Sequence, residues 1–248
     1  MLLAGARQLL TLKGPRGPRR RRSLSDLGII EDGAVLMCSG RIAAVGRARD
    51  LLRQAKAGGG RVQEVEVAGK VVLPAFVDSH THLAFAAPRL RDYEMRLAGH
   101  SYQQIARAGG GIASSVAQVR SGGRRHLLAN LVYFAQQALT YGTATLEVKS
   151  GYGLDTESEV MLLEAVRDAA QVVAPELVST FLGAHVVPPG RSRRDYVRQV
   201  VEEMIPRVAG GGLAEFCDVF CDRGAFSVAD AQRILAAAAR HGLKAKLH

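Results

Sequence analysis

Beyond Gly69 the chain repeats one pattern that few folds accommodate: a short apolar run, a longer amphipathic stretch, then another apolar run. The apolar runs span 71–77, 143–149, 177–183, 216–220 and 243–248. Their length and their boundaries predict strands. Helical periodicity fills the intervals at 102–108, 112–119, 126–141, 157–173 and 194–208, and Ser227 caps a last helix that runs to Arg240 before Gly242. Pro206 is expected to end or kink the helix that contains it. Such alternation makes parallel βαβ units and an α/β fold. Two architectures satisfy it, the open doubly wound sheet and the eightfold barrel, and both gather ligands at the carboxyl ends of their strands. His80 and His82, the segment 149–153, His185, Cys221 with Asp222, and His248 all fall at such ends, four of the seven histidines among them.

Residues 1–70 read differently. A first strand opens the chain and ends near Leu12. The runs 33–38 and 41–46 flank Ser39-Gly40, a two-residue turn, and predict a β-hairpin. A short helical pattern covers 50–57 and stops at glycines 58–60; 61–67 then alternates like a half-buried strand. The net charge of +10 is local. Lys13, Arg16 and Arg19 to Arg22 supply six of the ten with no acid among them, which leaves +4 elsewhere. A solvated basic loop is a poor argument for nucleic-acid binding by the whole fold. Cys38, Cys217 and Cys221 are odd in number and form no CxxC, so a reducing cytoplasm is expected, with Cys217 and Cys221 in packing roles. No apolar run approaches the roughly 20 residues needed to span a bilayer. The N-terminal apolar run precedes its charges, unlike a secretory signal.

If the run at 71–77 continues as a strand through His82, residues two apart project from one face. His80 and His82 then aim at one point, and two neutral imidazoles so placed begin a metal site. The same spacing also suits one packed and one exposed histidine. His248, at the end of the fifth strand, adds a third nitrogen toward Zn²⁺ or Fe²⁺. His185 suits substrate hydrogen bonding or proton transfer. Arg89, seven residues past His82, can hold a carboxylate through two hydrogen bonds. Gly109-Gly110-Gly111 precedes a helix and can offer backbone N–H groups to an anion. Glu147 and Lys149 share a strand face and can pair, and Asp78 shares the face of His80 as a candidate hydrogen-bond acceptor behind it. There is no phosphate-loop Lys-Ser/Thr after the glycines, no dinucleotide fingerprint and no GxSxG serine elbow.

Pro74-Ala75-Phe76-Val77-Asp78-Ser79-His80-Thr81-His82-Leu83 resembles the first-strand signature of the amidohydrolase superfamily. Ala108-Gly109-Gly110-Gly111-Ile112, Glu147-Val148-Lys149-Ser150-Gly151-Tyr152-Gly153-Leu154, Phe181-Leu182-Gly183-Ala184-His185, Asp218-Val219-Phe220-Cys221 and Lys246-Leu247-His248 together resemble the imidazolonepropionase family, from about Asp32 to the last residue. The resemblance implies a TIM-type (β/α)8 metal-dependent hydrolase barrel and a small β-sandwich built from both chain ends. Residues 1–70 would be the N-terminal portion of the sandwich, and 71–248 the first five strand–helix units of the barrel. It implies hydrolysis of the cyclic amide of 4-imidazolone-5-propanoate to N-formimidoyl-L-glutamate, in L-histidine degradation, by a metal-activated water. By motif, His80, His82 and His248 match metal ligands for Zn or Fe. Arg89, Tyr102, Tyr152 and His185 match substrate-holding positions, His185 being catalytic as well. Arg89 would anchor the propanoate with help from Tyr102, and Tyr152 and His185 would orient the ring.

The resemblance adds a small-molecule substrate and a homodimeric full-length form to the cytoplasmic location, and to the lack of a membrane or nucleic-acid partner, expected from the cysteines, the apolar runs and the local charge. Another cyclic amidohydrolase, a deaminase of a ring amine, or a catalytically incomplete fragment are the other readings the residues leave open. The family pattern continues past the position of His248 with a proton-shuttling acid, a further strand-end histidine and an aspartate that completes the metal site. This sequence stops at His248, and 248 less 70 leaves 178 residues for the barrel, against about 250 for the complete fold. The expectation is a truncated barrel, three units short, poorly soluble and nearly inactive.

Overall fold

The computed structural model describes every residue except 15, 16, 58 and 60, and every side chain but those of these residues, Tyr102 and Ala106. Arg16 of the basic loop, two of the glycines at 58–60 and the Tyr102 side chain therefore lie outside the described residues. The chain divides into two compact units, Met1–Ala75 and Phe76–His248.

In the first unit β1 (Leu2–Leu10) pairs antiparallel with β2 (Ile29–Cys38), and β2 with β3 (Arg41–Arg47). Ser39 and Gly40 join β2 to β3 with φ of 49° and 73°. Positive φ at both positions is the turn whose twist matches a hairpin. Helix α1 (Ala48–Ala57) follows and packs Ala48 and Leu51 against Leu2, Ala4 and Ala34. Two short strands, β4 (Glu64–Glu66) and β5 (Val71–Val72), then pair parallel with β1. The run expected as one strand over 71–77 is therefore two. Val71 and Val72 pair with Gln8 and Leu9, whereas Phe76 starts β6 (Phe76–Thr81) in the second unit. Pro74 explains the break, because it has no amide hydrogen to donate and constrains the residue before it.

The second unit carries a five-stranded, wholly parallel sheet of β6, β7 (Thr143–Lys149), β8 (Glu176–Ala184), β9 (Phe216–Val219) and β10 (Lys244–Ala245). The strands lie side by side in chain order. A doubly wound sheet reverses its order at a switch point; a barrel does not. The order here is the barrel's, over five consecutive units. Ladder-like bonds continue past β10, with Lys246 N–H donating to Cys217 O and His248 N–H to Val219 O.

Helices α2 (Leu90–Leu97), α3 (Tyr102–Arg107) and α4 (Ile112–Thr140) connect β6 to β7. α4 bends at Gly123 (φ 70°, ψ 166°), between the helical patterns read at 112–119 and 126–141. After β7 come α5 (Thr156–Ala170), α6 (Arg193–Gln199), α7 (Ile205–Gly210) and α8 (Val228–Arg240). A π-turn over Val200–Met204 joins α6 to α7, so the helix expected at 194–208 widens ahead of Pro206 rather than stopping. Asp155 and Ser227 cap α5 and α8 through their side chains. Among the described residues no helix is long and apolar enough to cross a membrane.

The two faces of the sheet differ in chemistry. Leu146 and Val148 pack against Leu127, Leu131 and Leu162 of α4 and α5, and Phe181, Cys217 and Val219 against Tyr196, Met204 and Ile234. Residues between them in the alternation point to the other face. These are Glu147, Lys149, Thr180 and Asp218, all buried. β6 lies at a sheet edge, with Phe76 and Val77 more than half exposed.

Candidate functional site

His80 sits near the end of β6 and His82 one residue beyond it. Thr81, facing the other way, donates its hydroxyl hydrogen to Glu147 O and ties this edge to β7. His248 arrives from the far side of the sheet. Its backbone is held between Val219 O, which accepts its N–H, and Cys221 N–H, which donates to its carbonyl at 2.7 Å. The rings of His80, His82 and His248 lie 5.0–5.5 Å apart between centroids, and one nitrogen from each falls within 4.8 Å of the others. The strand-end argument thus brings the three expected ligands to one place.

Their electrostatics suit a cation. Burial lowers the His80 imidazole and pushes His82 down to about 3, with His185 and His248 adding to the effect on His82. A neutral imidazole is the form that binds metal. Nδ1 of His82 is buried and has no hydrogen-bond partner among the described residues. Such an orphan atom is expensive unless something occupies it. His248 has the opposite arrangement. Its Nδ1 contacts the Asp218 carboxylate at 2.8 Å. The carboxylate can only accept, so Nδ1 carries a hydrogen, which leaves Nε2 as the nitrogen turned toward the other two histidines. Three imidazole nitrogens so close together are a donor set able to hold a transition-metal ion.

Asp218 belongs to a buried ion cluster. Lys149 Nζ donates to Glu147 Oε1 at 2.8 Å and to Asp218 Oδ2 at 2.7 Å; Lys246 Nζ and Thr180 Oγ1 both donate to Glu147 Oε1 at 2.6 Å. Burial works to raise Asp218, but hydrogen bonds from His248 and Lys149 outweigh it and hold the carboxyl at about 2. The same contest, with Lys149, Lys246 and Thr180 as donors, leaves Glu147 low.

A cavity of about 660 Å³ opens in front of the histidines, lined by His82, Arg89, Tyr152, His185 and His248 among others. His185 stacks on His82 at 5.1 Å with the planes 18° apart, and Tyr152 lies 5.3 Å from His185. His185 Nδ1 meets the Gly151 carbonyl at 2.8 Å, which makes Nδ1 the protonated nitrogen. Burial brings this imidazole down to about 4. Arg89 precedes α2 and stands 3.8 Å from Asp92, a long ion pair on a partly exposed group. For Tyr102 the structure gives only a backbone position, at the start of α3.

No protein-family model matches the sequence. Two imidazolonepropionases, from Desulfotalea psychrophila and Haloarcula marismortui, are each 43% identical to it, over 93% and 98% of this chain. A third, from Chloroflexus aggregans, is 41% identical over all of it. The chain is a relative of the imidazolonepropionases.

It spans 56–60% of the length of these three imidazolonepropionases. Among solved structures, triazine hydrolase of Arthobacter aurescens (TM-score 0.62, 16% identity) and 5-methylcytosine deaminase of Klebsiella pneumoniae (0.61, 14%) superpose on the whole of this chain with 52% and 51% of their own. At such identities the likeness concerns the fold alone, and it agrees with the barrel order of the five parallel units.

Two expectations from single residues change. Gly109–Gly111 offers little to an external anion, because Gly111 N–H donates to the Asp92 carboxylate at 2.8 Å and Gly110 N–H to Ile105 O. Asp78 accepts the backbone N–H of His80 at 3.3 Å; the carboxylate found behind a site imidazole is Asp218, on His248. Asp218 and the fully buried Glu159 were not marked by spacing. A lone acid in an otherwise apolar buried strand is the signal for Asp218; Glu159, in the first turn of a helix, carries none.

Proposed function

We propose that this chain provides the imidazolonepropionase site: it binds 4-imidazolone-5-propanoate and supports hydrolysis of its cyclic amide to N-formimidoyl-L-glutamate, as in L-histidine degradation. The observation that carries the reading is the convergence of nitrogens from His80, His82 and His248 beside a cavity lined by the last two together with Arg89, Tyr152 and His185, in a chain related to imidazolonepropionases throughout. His80, His82 and His248 would hold one zinc or iron ion. When bound, such an ion supplies a Lewis acid and an acidified water.

The chain's own groups do the rest. Arg89 exchanges its long contact with Asp92 for the substrate propanoate, a better two-pronged partner. By the family pattern Tyr102 would assist Arg89 in holding the propanoate. Tyr152 and His185 flank the ring. With Nδ1 committed to Gly151 O, His185 presents Nε2, and its low pKa keeps that nitrogen an acceptor at neutral pH. The first unit would belong to a small β-sandwich and the second to the barrel, a boundary at Phe76 rather than at residue 71; the active protein would be cytoplasmic and homodimeric.

The test is zinc and iron binding by chelator competition, followed by assay of N-formimidoylglutamate formation. Stoichiometric metal that is lost in His80→Ala and His248→Ala supports the site. Turnover whose KM rises at least tenfold in Arg89→Ala supports the carboxylated substrate. Metal binding unaffected by either histidine substitution would overturn the proposal.

A further inference from the structure

The loop between β7 and α5 presents Tyr152 to the cavity, and one side chain outside the cavity shapes it. Glu159, in the first turn of α5, is fully buried. Its Oε2 accepts the N–H of Gly151 at 2.9 Å; its Oε1 accepts those of Gly153 at 2.7 Å and Leu154 at 2.9 Å. The loop cannot relax toward an ordinary turn without losing these bonds. Gly151 has φ 104° and Leu154, not a glycine, has φ 56°. A Cβ at Gly151 would lie 2.9 Å from Leu182 O and 3.0 Å from His185 Nδ1; one at Gly153 would lie 2.6 Å from Glu159 N.

The consequence lies one bond further on. Gly151 gives its N–H to Glu159 and receives His185 Nδ1–H on its carbonyl. Tyr152 is thereby fixed between two residues whose amides end on the same carboxylate. We propose that Glu159 is a positioning residue: it sets the 150–154 loop and, through Gly151, holds His185 in the Nδ1–H tautomer with Nε2 free. The functional side of this inference rests on the reading that Tyr152 and His185 meet the substrate; the tautomer itself does not.

Glu159→Gln is the sharp probe. An amide that keeps its oxygen toward Gly153 and Leu154 must turn its NH2 on the Gly151 N–H, so the break falls on the residue that holds His185. Imidazole ¹⁵N spectra of the whole chain should show His185 protonated at Nδ1 in the parent and mixed or reversed in the variant. Arg120→Ala is the control. It removes the exposed clamp on Gly153 O and should leave the tautomer alone. Where turnover is measurable, Glu159→Gln should lower kcat on the order of 10²-fold, with Glu159→Asp restoring part of it.

A folded Glu159→Gln variant with an unchanged His185 tautomer overturns the proposal. If that variant does not fold, the parent decides: slow exchange of the amides of 151, 153 and 154 with Nδ1-protonated His185 upholds it, and fast exchange or an Nε2-protonated ring overturns it. A His185→Asn variant with undiminished turnover would instead refute the substrate reading and leave the tautomer result standing.

Discussion

The site has a fastened half and an open half. His185 and His248 each give one nitrogen to a buried acceptor, Gly151 O and Asp218. Those acceptors are themselves anchored, one by Glu159 and the other by Lys149. On the other side, His80 stands on an exposed edge strand, and His82 has a buried nitrogen with no partner among the described residues. The difference teaches where each half gets its geometry. The fastened half is organised by the protein's own hydrogen bonds, and the open half leaves its imidazoles without such bonds among the described residues.

Removing the anchor should do most damage. Lys149→Met leaves Glu147 and Asp218 buried without their main counter-charge, and uncompensated buried charge costs about 3–5 kcal/mol. Denaturant unfolding of the metal-free chain reads it. A loss under about 1 kcal/mol would mean that the fastened half does not depend on its ion cluster.

Acid should come next. A free histidine takes up a proton near 6.5, whereas folded His185 does so only near 4. Between these values the unfolded chain binds the extra proton, so folding stability of the metal-free chain falls as pH drops from about 6.5 toward 4. The contribution of His185 is at most about 3 kcal/mol. His185→Asn should flatten this part of the stability–pH curve, and an unchanged slope would remove His185 from the fastened half.

Asp218→Asn tests the fastened half as a ligand support. The amide no longer enforces Nδ1–H on His248, and zinc affinity should drop about 10–100-fold, measured against a chelator of known strength. His80→Ala should be the mildest in folding terms, within about 0.5 kcal/mol of the parent, while abolishing tight metal binding. Equal stability losses from His80→Ala and Lys149→Met would erase the distinction between the halves.

Much of this was legible in the residues. Alternation of apolar runs with amphipathic stretches located β7, β8 and β9 and their helices, because periods of two and 3.6 are local properties. The same logic set His80, His82, His185 and His248 at strand ends. What stayed hidden depends on register between strands. Nothing local joins Lys149 to Asp218, 69 positions away, or Lys246 to Glu147, 99 positions away. Glu159 was masked for another reason: an acid in a first helical turn is ordinary there, and only the fold shows that this one turns inward. Pro74 was visible, yet its power to divide the 71–77 run between two sheets was not, because β1 had still to be placed beside Val71.

The ion cluster under the histidines also sets a balance sheet of charge. Glu147 and Asp218 contribute two formal negatives, and Lys149 and Lys246 two positives, so the floor of the cavity is neutral as built. The three histidines add nothing while uncharged. A cation drawn to them is not offset by this cluster, and the described lining of the cavity adds Arg89 and Arg223 on the positive side and Asp222 on the negative. With two arginines against one aspartate in that lining, the described part of the cavity favours ligands that bring their own negative charge.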